Sequence, residues 1–369
     1  MIRRLVSTLC ALVLLGSVSC VEGMKAPQRP NLGGEENPTG ENSIVPITDG
    51  LVATAGATES MRTKAAQLRA ATGTEKGTLR SAVYVYSATV EKYAEQPQKL
   101  AARLALLGMS DVYLSISREV LTSAAGGTKR TWYENFISFC HFYGMKVYAM
   151  RLENKSIYTD PEVVRTEVEA VLSWNSSVEP REKIDGISAD LEPHTVKAGD
   201  SNAAALGYWW DSTNNYGKGG SNDRLVGLTL DRLGYADQLL GDLQLCEAVF
   251  SAFQPKYDQG LLSKGCTGDF LGVCDWIMVM AYRTTAEKIW ADVEHYLKAS
   301  TAGAHDGRVS VAVKVHQNDL DSVSPSLKPL GWQGVVDVLK NLAERGAAWP
   351  AFRGIDYFQY VGLEELWEE

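Results

Sequence analysis

From residue 81 onward, short near-continuous apolar runs alternate with longer stretches whose apolar residues recur at helical spacing. The first kind predicts strands buried on both faces, the second amphipathic helices. SAVYVYSATV (81–90) predicts a first strand, followed by a helix over QPQKLAARLALLGM. DVYLSIS predicts a second strand and TWYENFISFCHFYGM its helix. KVYAMRLE predicts the third strand. DPEVVRTEVEAVLSW predicts the third helix, with Asp160 as its cap and Pro161 in its first turn. KIDGISADLEP predicts the fourth strand, and a long insertion containing YWW and NNYGKGGSND follows it. RLVGLTLD (224–231) predicts a fifth strand, with a helix near 236–253. CDWIMVMAYRT, RVSVAVKVH and FRGIDYFQYVG predict strands six to eight. Helices over EKIWADVEHYLKAS and GWQGVVDVLKNLAERG separate these last three strands.

Eight strands alternating with helices predict an α/β fold, a (β/α)8 TIM barrel over residues 81–369. An open doubly wound sheet is the alternative. It would carry a Gly-rich nucleotide loop after the first strand, where this chain has SATVEKY.

The N-terminus changes the picture of where the barrel resides. In MIRRLVSTLCALVLLGSVSC, Arg3 and Arg4 precede a short apolar stretch, Leu5 to Leu15. That is a signal segment, too short for a comfortable membrane span. Small residues lead to Cys20, an arrangement that resembles the bacterial lipobox. Residues 1–19 are expected to be removed and Cys20 lipidated, and ordinary cleavage near Ser19 is the alternative. Residues 20–80 are expected to form a tether, rich in Pro, Gly, Asn and Glu up to about 57, with a short helix over 58–72. Formal net charge is −9, without a basic stripe, so nucleic acid is excluded as a partner and membrane contact is expected through the lipid alone. The chain is expected to be a monomer of the cell envelope. Cys266 and Cys274 flank a short Gly-containing loop and are the candidate disulfide pair for an exported chain; Cys140 reads as a buried hydrophobe. No spacing resembles a zinc site, and no cofactor or metal is expected.

Candidate chemistry sits where barrels keep it, at the C-terminal ends of the strands. In IDGISADLEPH (184–194), strand period two puts Ser188, Asp190 and Glu192 on one face. Two close carboxylates oppose each other's ionisation, so one stays protonated near neutral pH. A protonated acid beside an ionised one suits glycosidic cleavage. A structural acidic pair held by barrel arginines is the alternative.

DGISADLE resembles the strand-four motif DxxDxDxE of family 18 glycoside hydrolases, the chitinases and endo-β-N-acetylglucosaminidases. Asp185, Asp190 and Glu192 match it, and Ser188 stands for the second Asp. On strand six, MAYR resembles the family's M-x-Y-[DN]: Met280 and Tyr282 match and Arg283 departs. The resemblance implies a substrate-assisted retaining mechanism. In it Glu192 is the general acid, Asp190 orients the substrate's 2-acetamido group, and Tyr282 donates to the acetamido oxygen. Asp185 and Ser188 would tune Asp190 from below. The family's strand-three SxGG is replaced by RLEN (151–154), and its strand-eight tryptophan by the region of Gln359 and Tyr360.

Other strand-end residues carry two readings each. Arg151, Arg283 and Lys314 either favour an anionic sugar or form structural ion pairs. Glu153 and Asp231 are the remaining carboxylates for a plain two-carboxylate scheme. His194 binds substrate or caps the loop. Tyr208, Trp209 and Trp210 stack on sugar or anchor the insertion. The expected function is an exported hydrolase of N-acetylhexosamine-containing glycans. A weakly catalytic or non-catalytic glycan-binding lipoprotein is the alternative, and a metal-dependent hydrolase lacks its His cluster.

Overall fold

The computed structural model describes residues 45–200, 206–209, 220–317 and 325–369. The expected signal segment, Cys20 and Trp210 lie outside them.

Eight parallel strands close into a barrel in the order β1-β2-β3-β4-β5-β6-β7-β8. They are β1 Arg80–Val85, β2 Asp111–Ser115, β3 Lys146–Arg151, β4 Gly186–Ala189, β5 Gln244–Phe250, β6 Trp276–Met280, β7 Val309–Lys314 and β8 Phe352–Phe358. β1 pairs with β8 to close the ring. Successive side chains alternate between two cores. One set (Val83, Val112, Val147, Ile187, Leu245, Ile277, Val311, Ile355) packs outward against the helices. The other (Tyr84, Tyr113, Tyr148, Cys246, Trp276, Met278, Ala312) fills the lumen. Burial on both faces is why the strands read as near-continuous apolar runs. The third helix begins as expected: Asp160 Oδ1 accepts the Glu162 N–H at 2.9 Å, and Pro161 occupies the first turn.

Three expectations are corrected. RLVGLTLD is not a strand; it lies inside the helix Ser221–Leu240. Its buried positions, Leu225, Thr229, Leu233, Ala236 and Leu240, recur at helical spacing. The fifth strand is QLCEAVF, within the span near 236–253 where a helix is expected. The first strand stops at Val85, and SATVEK forms the helix Ser87–Lys92. The short helix expected over 58–72 is present as Glu59–Thr72, whereas residues 49–55, expected to be flexible tether, form a further helix, Asp49–Ala55. Thr48 and Thr58 cap them, and Leu51, Ala55, Met61 and Leu68 enter the main core.

Cys266 and Cys274 are free thiols. Cys266 precedes the helix Thr267–Leu271 as its cap, and Cys274 is buried. Cys140 is fully buried, as expected of a hydrophobe. Among the described residues, no helix is long and apolar enough to cross a membrane.

Candidate active site

The lumen-facing column of β4 is Gly186, Ser188, Asp190. Ser188 is buried beside Cys246. Asp190 sits one step beyond the strand's end, at the C-terminal mouth. Glu192 follows, and together with Glu153, Lys155, Tyr158, Leu191 and Thr195 the two acids line a cavity of about 220 Å³. A second cavity, of about 410 Å³, lies on the β2–β3 side and shares Glu153. It is faced by Ser115, Ser117, Tyr133, Arg151 and Asn154.

Three carboxyls converge on this mouth, and their electrostatics follow from that. Burial, then the charges of Glu192 and Glu153, push Asp190 up to about 8. Its buried Oδ1 has no hydrogen-bond partner among the described residues. Burial also raises Glu192, with the Lys155 ammonium pulling the other way. Glu153 is raised by burial against the pull of Arg151. Lys155 is itself held by the Thr195 carbonyl at 2.7 Å and Asp200 at 2.9 Å.

Tyr282, beyond the end of β6, joins Asp190 at the top of the lumen. Burial and then the Asp190 charge hold its phenol well above the usual range, so it remains an O–H donor. Its ring meets Phe358 at 5.5 Å, and Phe358 meets Tyr86 at 5.7 Å and Tyr84 at 5.6 Å. These rings make an aromatic floor beneath the acids, with Met280 below it in the lumen. Lys314, the last residue of β7, is buried opposite Phe358 in the ladder.

His194 stacks on Phe250 with centroids 4.0 Å apart, and its Nε2 lies 3.8 Å from Glu192 Oε1. Burial, then Lys155, lower it to about 4, so the imidazole is neutral at pH 7.

Several expected site residues lie elsewhere. Asp185 is on the opposite face of the chain from Asp190, at the foot of β4. Its Oδ2 accepts the Val147 N–H at 2.7 Å and pairs with His141 Nε2 at 2.9 Å. It ties strands to a helix and does not tune Asp190 from below. Arg283 is engaged by Asp292 (Nε to Oδ2, 3.0 Å) and by the Tyr282 carbonyl, and Arg151 by Glu167 and the Ile116 carbonyl. Arg151 therefore faces the second cavity as one half of an ion pair, and Arg283 is ion-paired to the helix Ala286–Ala302. Asp231 is exposed on the helix Ser221–Leu240 and leaves the list of site acids. At the end of β8 the inward residue is Phe358; Gln359 follows through a cis peptide and is half-buried, and Tyr360 is buried against Glu364. Trp209 packs against Phe253, and Tyr208 against the cluster of Tyr158, Val196, Leu206 and Leu225, so both anchor the insertion.

The sequence reading missed Tyr86, Lys155, Tyr158 and Phe358. Tyr86 was legible, because SAVYVY alternates and places Ala82, Tyr84 and Tyr86 on one face. Lys155 and Tyr158 lie in a short turn after β3 and carried no signal. Among the described residues, no group of three or more His, Cys, Asp or Glu side chains is placed to hold a metal.

No protein-family model matches the sequence, and no curated protein matches it. The structure is similar to solved glycoside hydrolase barrels at low sequence identity. A GH18 chitinase from Pseudoalteromonas aurantia is 17% identical, with 76% of this chain and 93% of that chain covered at a TM-score of 0.46. The PgaB (BpsB) glycoside hydrolase domain from Bordetella bronchiseptica is 12% identical, with 78% and 96% covered at 0.46. The second catalytic domain of a group II chitinase from Ostrinia furnacalis, solved in complex with penta-N-acetylchitooctaose, is 12% identical, with 64% of each chain covered at 0.37.

Proposed function

We propose that the protein is a glycoside hydrolase that cleaves N-acetylhexosamine-containing glycans with retention of configuration, using the substrate's own acetamido group. One observation carries this reading: Asp190 and Glu192 share one cavity at the barrel mouth, and the Tyr282 phenol adjoins Asp190.

Burial raises the Glu192 carboxyl, which favours its protonated form; when the proton shared by the pair sits on Glu192, it passes to the glycosidic oxygen as that bond breaks. The acetamido carbonyl oxygen attacks the anomeric carbon and closes a five-membered oxazolinium ring. With the proton of the close pair on Glu192, Asp190 is ionised at the moment of reaction; its carboxylate accepts the acetamido N–H and stabilises the positive charge, while the Tyr282 O–H donates to the acetamido oxygen. Water, losing its proton to the Glu192 carboxylate, then opens the ring from the face the leaving group vacated. Tyr86 and Phe358, half-buried above the lumen, supply an apolar face for a sugar ring. Glu153 lines the same cavity and, among the described residues there, is the further carboxylate for a plain two-carboxylate scheme. A donor bearing a 2-hydroxyl in place of the acetamido group separates the two routes, since only the two-carboxylate route cleaves it.

The decisive experiment compares wild type with Glu192→Gln on chito-oligosaccharides, N-glycoproteins and peptidoglycan fragments. Removing a positioned general acid is expected to lower kcat by about two orders of magnitude or more. Glycan binding by both forms with cleavage by neither would replace the hydrolase with a binding protein. The leader sequence supports export and a lipid anchor on Cys20. Cys20→Ser is expected to move the protein from the membrane fraction to the soluble one; an unchanged distribution would refute the anchor.

A further inference from the structure

The seam between β4 and β5 opens at the site. Its ladder ends with Ala189 opposite Glu247, while β5 runs on to Phe250 along β6. Two residues past that last rung, the Leu191 N–H has left the sheet. Glu247 Oε1 accepts it at 3.0 Å. A side chain therefore takes over where the backbone ladder stops.

Glu247 is 0% exposed. It lies between the lumen-facing Cys246 and Ala248, so it points outward and reaches Leu191 from behind the barrel wall. Leu191 is buried in the outer core. Its two neighbours in sequence are Asp190, turned to the lumen, and Glu192, lining the cavity. Glu247 Oε2 has no hydrogen-bond partner among the described residues. Burying a carboxyl with one oxygen unused is costly. A hydrocarbon side chain of similar size would avoid that cost and would leave the Leu191 N–H unpaired.

We propose that Glu247 is a positioning residue of the active site: its carboxyl holds the Leu191 peptide and thereby fixes how Asp190 and Glu192 are aimed. Both acids hang from the two ends of that one peptide segment. Any rotation there swings both carboxyls together, and a misplacement of about 1 Å at a reacting group can cost about a hundredfold in rate. Substrate contacts lie on the other side of the wall, so the effect falls on turnover and not on binding. The proposal rests on the hydrolase reading above.

The test compares Glu247→Leu and Glu247→Gln with wild type, using a fluorogenic di-N-acetylchitobioside and thermal unfolding of each variant. E247L is expected to lose about tenfold or more in kcat with KM within about threefold of wild type. E247Q keeps a carbonyl that can accept the Leu191 N–H, and is expected to return kcat to within about threefold of wild type. Wild-type kcat in a folded E247L, or E247Q as slow as E247L, would overturn the proposal. Should E247L not fold, amide exchange of wild type decides. Leu191 is expected to be protected like Ile187 and Ala189, and fast exchange at Leu191 alone would overturn the assignment. Wild type inactive on every N-acetylated glycan tried would sink the hydrolase reading, while exchange at Leu191 would still decide whether Glu247 holds the peptide.

Discussion

At Asp190, burial and two neighbouring carboxylates act on one carboxyl in the same direction. The folded protein therefore holds a proton there, up to about pH 8, that the unfolded chain releases near pH 3.9. Between those values the native state binds more protons than the unfolded state, so this group makes stability fall as pH rises. Asp190→Asn has no such proton to lose. The variant is expected to gain stability on wild type as pH is raised from about 4 to 8. The difference reads Asp190 together with the part of the Glu192, Glu153 and Glu247 titrations that its charge shifts. Urea unfolding at pH 5 and pH 8 measures it, and parallel curves would show that Asp190 is not a proton-holding acid. At this scale the chemistry of β4 was legible because the two-residue period and the position at a strand end are both written in ISADLE. The role of Asp185 was misread for the same reason it can be corrected: an odd offset from Asp190 puts it on the other face, at the opposite end of the strand. The ion pairs of Arg151 with Glu167 and of Arg283 with Asp292 depend on helices folding back against the strand ends. That juxtaposition has no local signature.

Among the elements, seven of the eight strands could be placed from apolar runs, and the fifth could not. VGLTL alternates like a strand over five residues, but the segment around it extends the helical spacing over twenty residues from Ser221 to Leu240. Length is the arbiter in such a case. QLCEAVF looked poorer as a strand because Glu247 interrupts its apolar run, and that interruption is the residue bound to the Leu191 amide. The C-terminal helix Tyr360–Glu368 shows how an element is pinned by buried charge. Glu364 is fully buried and takes Lys92 Nζ at 2.7 Å, Arg103 Nη1 at 2.6 Å and the Tyr93 hydroxyl. Arg103 is itself nearly inaccessible. Glu364→Ala would leave that guanidinium with only the Ala55 carbonyl and the half-exposed Glu368. Breaking one side of a buried pair costs about 3–5 kcal/mol. A urea midpoint lowered to match is the expected result. A change below about 1 kcal/mol would mean the helix is held by its apolar face, through Leu363, Leu366 and Trp367.

For the molecule as a whole, closure of the ring was predictable from eight alternations, because a parallel barrel needs every strand covered on both faces. The extent of the folded unit was not, because composition alone assigned residues up to 80 to a tether. The helices Asp49–Ala55 and Glu59–Thr72 are short, and only a few positions in them carry large apolar side chains. Those few are what the fold uses: Leu51, Met61 and Leu68 are at most 6% exposed, against the same core as the barrel helices. Hydrogen bonds fasten the pair to distant parts of the chain. The Trp367 indole donates to the Met61 carbonyl at 2.7 Å, and Arg103 Nε to the Ala55 carbonyl at 3.0 Å. A chain beginning at Thr78 would lose all of this and uncover Trp367 and Arg103. Each large apolar side chain withdrawn from the core is worth about 1.5–3 kcal/mol, offset in part by the freedom the removed residues no longer surrender. The truncated chain is therefore expected to unfold at a clearly lower urea concentration than the full chain, with the loss falling on stability and not on the mouth of the barrel. Where it remains folded, turnover of a cleaved glycan should match the full chain, since neither helix lines either cavity at the site. An unchanged urea midpoint would return residues 49–72 to the tether, and a lost turnover in a folded truncation would show that these helices brace the mouth through the barrel wall.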